Sequence, residues 1–295
     1  MRKAYFEIFW IMILLTDKPG QLGNRLWAFT PFISFALSRK KKIFIIFFND
    51  YMELFENLKI YTNVVFLDKK HIIYRIFSYA GFLASFFNVL NKIIVLFYRK
   101  DYFKYLQKSR FIALRSRKYP KPDMKFLYEQ HSKIKILFQP ANRNVSKVDS
   151  VFYKKRKEFD VIIGLHIRRG DYKDFKNGNY FYDDDTYINI INQLSNIHKG
   201  KNIGFFICSD SPVKVEKYRL YNVFMLKVPS IIEDLYALSK CDYIVGAPST
   251  YSMWASFYGK VPLYQIREKH PKVNFKDFSV VVEQNKFENG NVRVH

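Results

Sequence analysis

The sequence predicts an α/β protein of two domains, each built around a parallel sheet covered by helices. Three observations lead to this fold class. The chain has 295 residues, which is long enough for two ordinary domains. About half of it (49%) is apolar, with 30 Phe and 22 Tyr, so it can bury a large core. From residue 160 onward, apolar runs alternate with helical patterns after short connections, which is typical of doubly wound sheets.

The first half of the chain predicts a strand, a helix and a second strand, the opening of a βαβ unit. We expect these elements at residues 8–15, 22–37 and 41–48. The stretch from Tyr98 to Lys157 is basic and broken by three prolines, which indicates a domain boundary. We therefore predict one domain over residues 1–150 and a second over residues 151–295.

The second half predicts five strands and three helices in alternation. The expected strands cover residues 161–167, 203–208, 223–228, 243–245 and 261–264. The expected helices cover residues 183–196, 231–239 and 250–258. The run Asp183-Asp184-Asp185 contains a D-x-D pattern that could hold a metal ion, but acidic residues also suit the start of a helix, and we expect the helix start.

The charge balance is strongly basic, with 49 Lys and Arg against 26 Asp and Glu, a net charge of +23. Such a field favours an anionic partner, whether nucleic acid, a nucleotide ligand or an anionic lipid surface, and a lysine-rich genome gives the same balance. Because the basic residues are spread along the chain, we expect no nucleic acid partner. The two cysteines are far apart and form no zinc pattern, so we expect no metal and a reducing compartment.

Two apolar stretches bear on localisation. Residues 6–15 are too short to span a bilayer and lack a cleavage site, so we expect a cytoplasmic protein. Residues 79–98 are longer but are interrupted by polar residues, which leaves two interpretations: a helix in the core, or an interfacial helix. The flanking residues Arg75, Arg99 and Lys100 would suit peripheral contact with the anionic inner face of a membrane.

Polar residues follow four of the predicted strands, and ligands of parallel sheets bind beyond the carboxyl ends of strands. The most informative of these loops reads HIRRGDY, residues 166–172. Since side chains alternate along a strand, Arg168 and Arg169 should point to opposite sides. One of them can form a two-pronged contact with phosphate oxygens, while the other pairs with a carboxylate such as Asp171. The Arg-Gly-Asp tripeptide also resembles an adhesion signal, but neither a secretion signal nor a flexible loop is evident.

The other three loops each have two interpretations. Asn24, in PGQLGNR, lies where helix amides could meet an anion, although a tight turn explains the glycines equally well. Asp210 could accept hydrogen bonds from the edge of a guanine base, or it could cap the next helix. Ser249, Thr250 and Ser252 crowd a strand-to-helix junction. Capping explains one of these hydroxyls, and the others could bind phosphate.

Three segments resemble the motifs shared by α1,2-, α1,6- and protein O-fucosyltransferases: DVIIGLHIRRGDY, GFFICSD and EDLYALSKCDYIVGAPSTYSMWASFYGK. The form H-x-R-R-G-D-Y is most similar to the α1,2 branch, glycosyltransferase family 11. That branch also opens with G-x-L-G-N-Q, which PGQLGNR resembles. Arg25 replaces the usual Gln and Trp27 replaces a smaller aromatic, which puts the acceptor in question more than the donor. Residues 60–155 are unmatched.

The resemblance implies a GT-B fold, in which two Rossmann-like domains face each other across a donor cleft. Residues 1–150 would form the acceptor-side domain and residues 151–295 the donor domain, with the last residues returning to the first domain. The activity implied is inverting transfer of L-fucose from GDP-fucose to a glycan hydroxyl, with an α1,2 linkage to a galactose-terminated acceptor. No metal and no other cofactor is implied. The alternatives are a different sugar nucleotide as donor, or a basic nucleic-acid-binding protein.

Carried over to this sequence, the resemblance assigns a role to each polar loop. Arg168 would contact the donor diphosphate in catalysis, and Asp171 is the second catalytic candidate, open between a structural partner and a general base. The donor-binding residues would be Asn24, His166, Arg169, Asp210, Ser249, Thr250 and Ser252. Further candidates for the base are Asp17, Asp50 and Glu53.

Overall fold

The computed structural model describes residues 12–79, 86, 89, 111–116 and 121–288. The chain divides into two compact units, Met1–Ala141 and Asn142–His295. The division between the units falls nine residues before the boundary predicted at residue 150, at the start of a helix. The acceptor and donor roles of the two domains stay predictions.

The first unit contains a four-stranded parallel sheet in the order β3-β2-β1-β4. Its elements in chain order are β1 (Met12–Leu15), α1 (Leu22–Ser38), β2 (Lys42–Ile45), β3 (Val64–Phe66), α2 (Ile72–Tyr79), β4 (Phe111–Leu114) and α3 (Lys125–Leu137). The strand expected at residues 8–15 is present from Met12, and residues 8–11 lie outside the described residues. Of the stretch 79–98, only residues 79, 86 and 89 are described.

Aromatic side chains fill the core of the first unit. The ring of Phe48 lies 5.8 Å from that of Phe55, 5.1 Å from Phe66 and 6.0 Å from Phe138, measured between centroids. These residues come from four separate segments, so one aromatic cluster joins the sheet to the connections around it. Trp27 in α1 is fully buried. The abundance of Phe thus reflects packing between layers.

The second unit contains a five-stranded parallel sheet in the order β7-β6-β5-β8-β9. Its elements are α4 (Asn142–Glu158), β5 (Val161–Ile167), α5 (Asp184–Ile197), β6 (Ile203–Ser209), β7 (Val223–Phe224), α6 (Ile231–Leu238), β8 (Tyr243–Gly246), α7 (Thr250–Gly259), β9 (Leu263–Gln265) and a hairpin of β10 (Val281–Glu283) and β11 (Lys286–Phe287). All elements predicted from residue 161 onward are present. The main difference is β7, which ends at Phe224, and Val228 has a φ of 43° that no strand accommodates.

The central strand β5 is buried along its whole length. Ile163, Leu165 and Ile167 face the core that α5 covers. On the opposite face, a Cβ atom at Gly164 would lie 2.7 Å from Leu238 Cδ2, so the glycine lets α6 approach the sheet closely. The strand order reverses between β5 and β8, and ligands of doubly wound sheets bind at this switch point.

Among the described residues, no helix combines the length and the apolar character required to cross a lipid bilayer.

Candidate functional site

Arg168 and Arg169 leave the end of β5 in different directions, as the alternation of side chains predicts. Arg168 Nη2 lies 2.7 Å from Asp171 Oδ1, and its Nη1 lies 3.1 Å from Asp210 Oδ2. Arg169 turns towards the start of α5, where its Nη2 lies 2.5 Å from Asp184 Oδ1. The partner of Asp171 is therefore Arg168 itself, and not the neighbouring arginine.

The guanidinium of Arg169 is anchored inside the unit. Its Nε donates to the carbonyl of Tyr182 at 3.0 Å. Asp184 is buried, and it also accepts a hydrogen bond from the Tyr218 hydroxyl at 3.0 Å. Burial alone would raise the pKa of Asp184, but its hydrogen bonds from Arg169 and Tyr218 hold it below the usual value. Sequence reasoning missed this partner, because only the folded chain brings Asp184 to Arg169.

The acidic run at residues 183–185 starts α5, as predicted. Asp183 is the N-cap, and its carboxylate accepts hydrogen bonds from the amide and the hydroxyl of Thr186, both at 2.9 Å. Among the residues that the structure describes, no three His, Cys, Asp or Glu side chains lie close enough together to hold a metal ion.

Asp210 organises the loop that carries both arginines. Its Oδ1 accepts hydrogen bonds from the amides of Arg169 at 2.8 Å and Gly170 at 3.2 Å, while Oδ2 pairs with Arg168. A Cβ atom at residue 170 would lie 2.8 Å from that Oδ2, so a larger residue would have to displace the Asp210 carboxylate. Burial favours the neutral acid, but the two amides and Arg168 hold the pKa of Asp210 below its usual value. This role in ordering the loop was not predicted; the guanine contact stays a prediction.

His166 is a buried, neutral residue beneath Arg168. Burial, together with the nearby charge of Arg168, lowers the pKa of His166 to about 4. Its ring lies 5.1 Å from that of Tyr251, between centroids. Within the described part of the chain, Nδ1 has no hydrogen-bond partner. An uncharged imidazole with one unsatisfied nitrogen can form one hydrogen bond with a bound molecule, as donor or as acceptor according to which nitrogen carries the proton.

The serines at the start of α7 serve the helix. Ser249 is the N-cap and accepts a hydrogen bond from the amide of Tyr251 at 3.2 Å. The hydroxyl of Ser252 donates to the carbonyl of Ser249 at 3.2 Å, and Ser252 is fully buried. Thr250 is the first helical residue and is partly exposed. Capping therefore explains the hydroxyl of Ser249, and the hydrogen bond within the helix explains that of Ser252. From the sequence, only one of the three hydroxyls was expected to have such a structural role.

Tyr172 joins the two loops that flank the switch point. Its buried hydroxyl donates a hydrogen bond to the carbonyl of Pro248, in the loop after β8, and its ring packs against that of Phe175. The loops after β5 and β8 are thus linked directly. Tyr172 is the last residue of the HIRRGDY motif, which was a signal for its importance, but no role was predicted for it from the sequence.

Arg25 holds the loop that precedes α1 and pairs with one of the candidate bases, Asp50. This buried side chain reaches the carbonyls of Pro19 and Phe47, both at 3.1 Å, and pairs with Asp50 at 2.8 Å. The departure from the family pattern at residue 25 is therefore part of the architecture of this loop. Asn24, next to it, is exposed in the first turn of α1.

Two of the proposed bases have structural partners. Asp17 is buried and accepts hydrogen bonds from the amide and the hydroxyl of Ser116 at 2.9 and 3.0 Å. The hydrogen bond from Arg25, partly opposed by burial, lowers the pKa of Asp50. Glu53 is exposed. Asp171 also has a partner, Arg168, although its own side chain is mostly exposed.

Comparison with protein families gives one match. Residues 119–277, more than half of the chain, match the family described as glycosyl transferase family 11. The chain belongs to glycosyltransferase family 11. This confirms the family to which the three motifs pointed. No curated protein matches the sequence.

Solved structures show that this family 11 protein has the GT-B fold that its motifs implied. FUT1 of Arabidopsis thaliana, in complex with GDP, is 13% identical with a TM-score of 0.57, over 93% of this chain and 75% of that one. The fucosyltransferase NodZ of Bradyrhizobium is 14% identical with a TM-score of 0.54, over 89% and 97%. POFUT1 in complex with GDP-fucose is 9% identical with a TM-score of 0.51, over 88% and 96%. At these identities the likeness concerns the fold.

Proposed function

We propose that this family 11 protein is a fucosyltransferase that uses GDP-fucose as its donor. The observation that carries the proposal is Arg168. This arginine extends from the buried strand β5 at the switch point of the second sheet, and two carboxylates hold its guanidinium in place. The three similar structures are fucosyltransferases, and two of them contain GDP or GDP-fucose.

In the proposed reaction, a glycan hydroxyl displaces GDP from the fucose carbon with inversion, and negative charge grows on the leaving diphosphate. A guanidinium aimed at that charge stabilises the transition state, and loss of one such donor costs about 3 kcal/mol in typical cases. Arg168 can supply this stabilisation, so we propose that no metal ion is required. The acceptor would be a galactose-terminated glycan, linked α1,2.

We propose that donor binding replaces one of the two carboxylates that pair with Arg168. The Asp171 side chain is 61% exposed and can turn towards solvent, whereas that of Asp210 is 22% exposed and is tied to two backbone amides. Phosphate oxygens would take the place of Asp171, while Asp210 keeps the loop in order. Asp171, once released, is the nearest carboxylate available as a base.

The remaining donor contacts follow from the same loops. The amides at the N-terminus of α7, with Thr250 and Ser249, suit a phosphate or ribose. The neutral His166 and the edge of Asp210 would meet the guanosine part. Asn24 would act from the first unit, and Arg169 and Ser252 would support the site from inside the second.

The test offers purified protein GDP-fucose, GDP-mannose and UDP-galactose in the presence of EDTA, and measures binding and hydrolysis of each. We expect binding of the guanine nucleotides and turnover of GDP-fucose alone. Arg168→Ala should lower turnover a hundredfold or more, and Arg168→Lys should restore only part of it because lysine lacks the fork. Arg219→Ala, on an exposed residue, is the matched control. Equal handling of all three nucleotides would contradict the proposal.

We also propose that the protein is cytoplasmic and lies on the anionic inner face of a membrane. The surface concerned consists of the exposed apolar side chains of α2, namely Ile72, Ile76 and Tyr79, and Phe86 and Val89 farther along the chain are also exposed. Ile72, Ile76 and Tyr79 repeat at helical spacing, beside exposed Lys69, Lys70 and Arg75. Apolar side chains next to cations match a bilayer rich in anionic lipid, to which the net charge of +23 also contributes.

Sedimentation with vesicles tests this localisation. We expect binding to vesicles containing phosphatidylglycerol, weaker binding to pure phosphatidylcholine, and a loss of binding in high salt. Ile76→Ser should reduce binding severalfold, while Ile60→Ser, on another exposed isoleucine, should not. Equal binding of the two variants would contradict the assignment of this surface.

A further inference from the structure

A cavity of about 250 Å³ lies beside the edge strand β9 of the second sheet, and none of the candidate donor residues lines it. Its lining includes Tyr264 and Gln265 from β9 and four charged residues that follow it: Arg267, Glu268, Lys272 and Asp277. A single sugar ring fits such a space.

The residue that marks the cavity as a binding site is Gln265. It is only 6% exposed, and neither Oε1 nor Nε2 of its side-chain amide has a hydrogen-bond partner among the described residues. Leaving a buried polar group unsatisfied costs about 1–3 kcal/mol, so such amides are normally paired. An amide offers an acceptor and a donor side by side, which matches two neighbouring hydroxyl groups.

The charges around Gln265 favour a neutral ligand over an ionic one. Two cations, Arg267 and Lys272, are balanced by two carboxylates, Glu268 and Asp277. Carboxylates accept hydrogen bonds from hydroxyls and cations donate to them, so all four groups suit a polyhydroxylated molecule. The ring of Tyr264, packed 5.5 Å from that of Phe278 between centroids, adds an apolar surface for the C–H groups of such a molecule.

The cavity is connected to the donor loops through backbone contacts. Gln265 pairs in register with Gly246, the last residue of β8. The next residue, Ile266, accepts a hydrogen bond from the Tyr182 hydroxyl at 3.0 Å, and the carbonyl of Tyr182 anchors Arg169. The cavity therefore lies at the carboxyl edge of the same sheet, where it can hold a part of the acceptor while another part reacts.

We propose that this cavity binds one neutral sugar residue of the acceptor glycan, at a distance from the hydroxyl that reacts. The proposal rests on the proposed function, in that the acceptor is a glycan. Gln265 would turn its buried amide into the cavity to meet a pair of adjacent hydroxyls, and Tyr264 would pack against the ring. The site would then select acceptors longer than one residue.

Direct binding tests the cavity without any reaction. Ligand-observed NMR would follow methyl β-D-galactoside, methyl β-D-glucoside, methyl α-D-mannoside and methyl N-acetyl-β-D-glucosaminide with the full chain saturated with GDP. We expect at least one of them to bind, and its signal to disappear in Gln265→Leu. Leucine has a similar size and no polar atoms, so this variant should fold at least as well as the parent. Tyr264→Ala, expected to weaken binding tenfold or more, serves if Gln265→Leu does not fold.

Kinetics separate this proposal from the proposed function. Gln265→Leu should raise the KM for an oligosaccharide acceptor about tenfold, with the KM for a monosaccharide acceptor and the hydrolysis of GDP-fucose unchanged. If the parent protein does not turn over GDP-fucose, the proposed function fails, and the glycoside titration still decides the cavity. Binding of no glycoside, or equal binding by parent and variant, would mean that the cavity holds water only.

Discussion

The two carboxylates that hold Arg168 differ in what they contribute to stability. Asp210 accepts hydrogen bonds from two backbone amides in addition to its ion pair, whereas Asp171 has a mostly exposed side chain. We expect Asp210→Ala to lower the free energy of unfolding by about 2–3 kcal/mol, because it leaves partly buried donors unsatisfied. Asp171→Ala should cost less than about 1 kcal/mol, as exposed ion pairs do. Urea unfolding of both variants measures the difference, and equal losses would show that Asp210 does not order the loop.

A half-buried carboxyl on α6 predicts a pH effect. Burial, with the neighbouring charge of Glu233 added, raises the pKa of Asp234 from 3.8 to about 7. Because the folded pKa lies above the unfolded one, the stabilising contribution of the bound proton is complete below pH 4 and is lost as the pH rises through 7. Asp234→Asn keeps the neutral shape and cannot ionise. Its melting temperature should therefore exceed that of the parent by several degrees more at pH 8 than at pH 5.

The comparison of the two proteins also removes the contribution of His166, another buried titratable residue of the same unit. His166 has the opposite effect, since its pKa is lowered to about 4 and the fold loses stability as the pH falls below the ordinary value near 6.5. This effect is common to parent and variant, and it cancels in the difference. A constant difference in melting temperature between pH 5 and pH 8 would contradict a raised pKa at Asp234.

Among the helices, α1 and α7 are followed by lysines in the left-handed region. Lys40 has a φ of 51° and Lys260 a φ of 55°, and both are exposed. Glycine adopts this conformation without steric cost, whereas other residues lose about 1–2 kcal/mol. Lys40→Gly and Lys260→Gly should each raise the free energy of unfolding by about 1 kcal/mol. Alanine at the same positions removes the charge but keeps the Cβ atom, so a gain with alanine as well would point to charge instead.

The helices and strands that the sequence predicted are those with a regular apolar pattern. Residues 161–167 form a strand as expected, since all seven are buried and the chain turns directly afterwards. The helix α4 was missed because only Asn144, Val148 and Phe152 are buried in it, a narrow stripe on a chain otherwise rich in lysine and arginine. Propensity and pattern carry little information where so few residues meet the core.

For the candidate site too, the sequence predicted local features and missed those that depend on distant contacts. The opposite directions of Arg168 and Arg169 follow from the alternation of side chains along a strand, which is local. The partners of Arg169, Asp210 and Tyr172 depend on contacts between residues 13 to 76 positions apart. No local pattern encodes such distances, so the motif showed where the site lies and not how its members are held.

At the scale of the whole molecule, the position of the boundary between the two units can be tested. The helix α4 opens the second unit, where Phe152 packs 5.6 Å from Phe206 between ring centroids. We expect residues 142–295, produced alone, to unfold in one cooperative transition that GDP shifts upwards. A piece that begins at residue 151, the boundary expected from the sequence, divides α4 and should melt at least several degrees lower. Far-UV circular dichroism with heating measures both, and equal melting would place α4 outside the second unit.

The pairing of Arg25 with Asp50 has a consequence for ancestry. Arg25 is 3% exposed, and its charge is balanced by that carboxylate. Loss of Asp50 leaves the buried charge of Arg25 without its carboxylate and destabilises the loop. Loss of Arg25 costs less, because Asp50 is 43% exposed and also lies 3.8 Å from Lys18. Relatives that carry glutamine at position 25 need no acid at position 50, so the two positions should co-vary. Family members in which the residues at positions 25 and 50 vary independently would contradict this coupling.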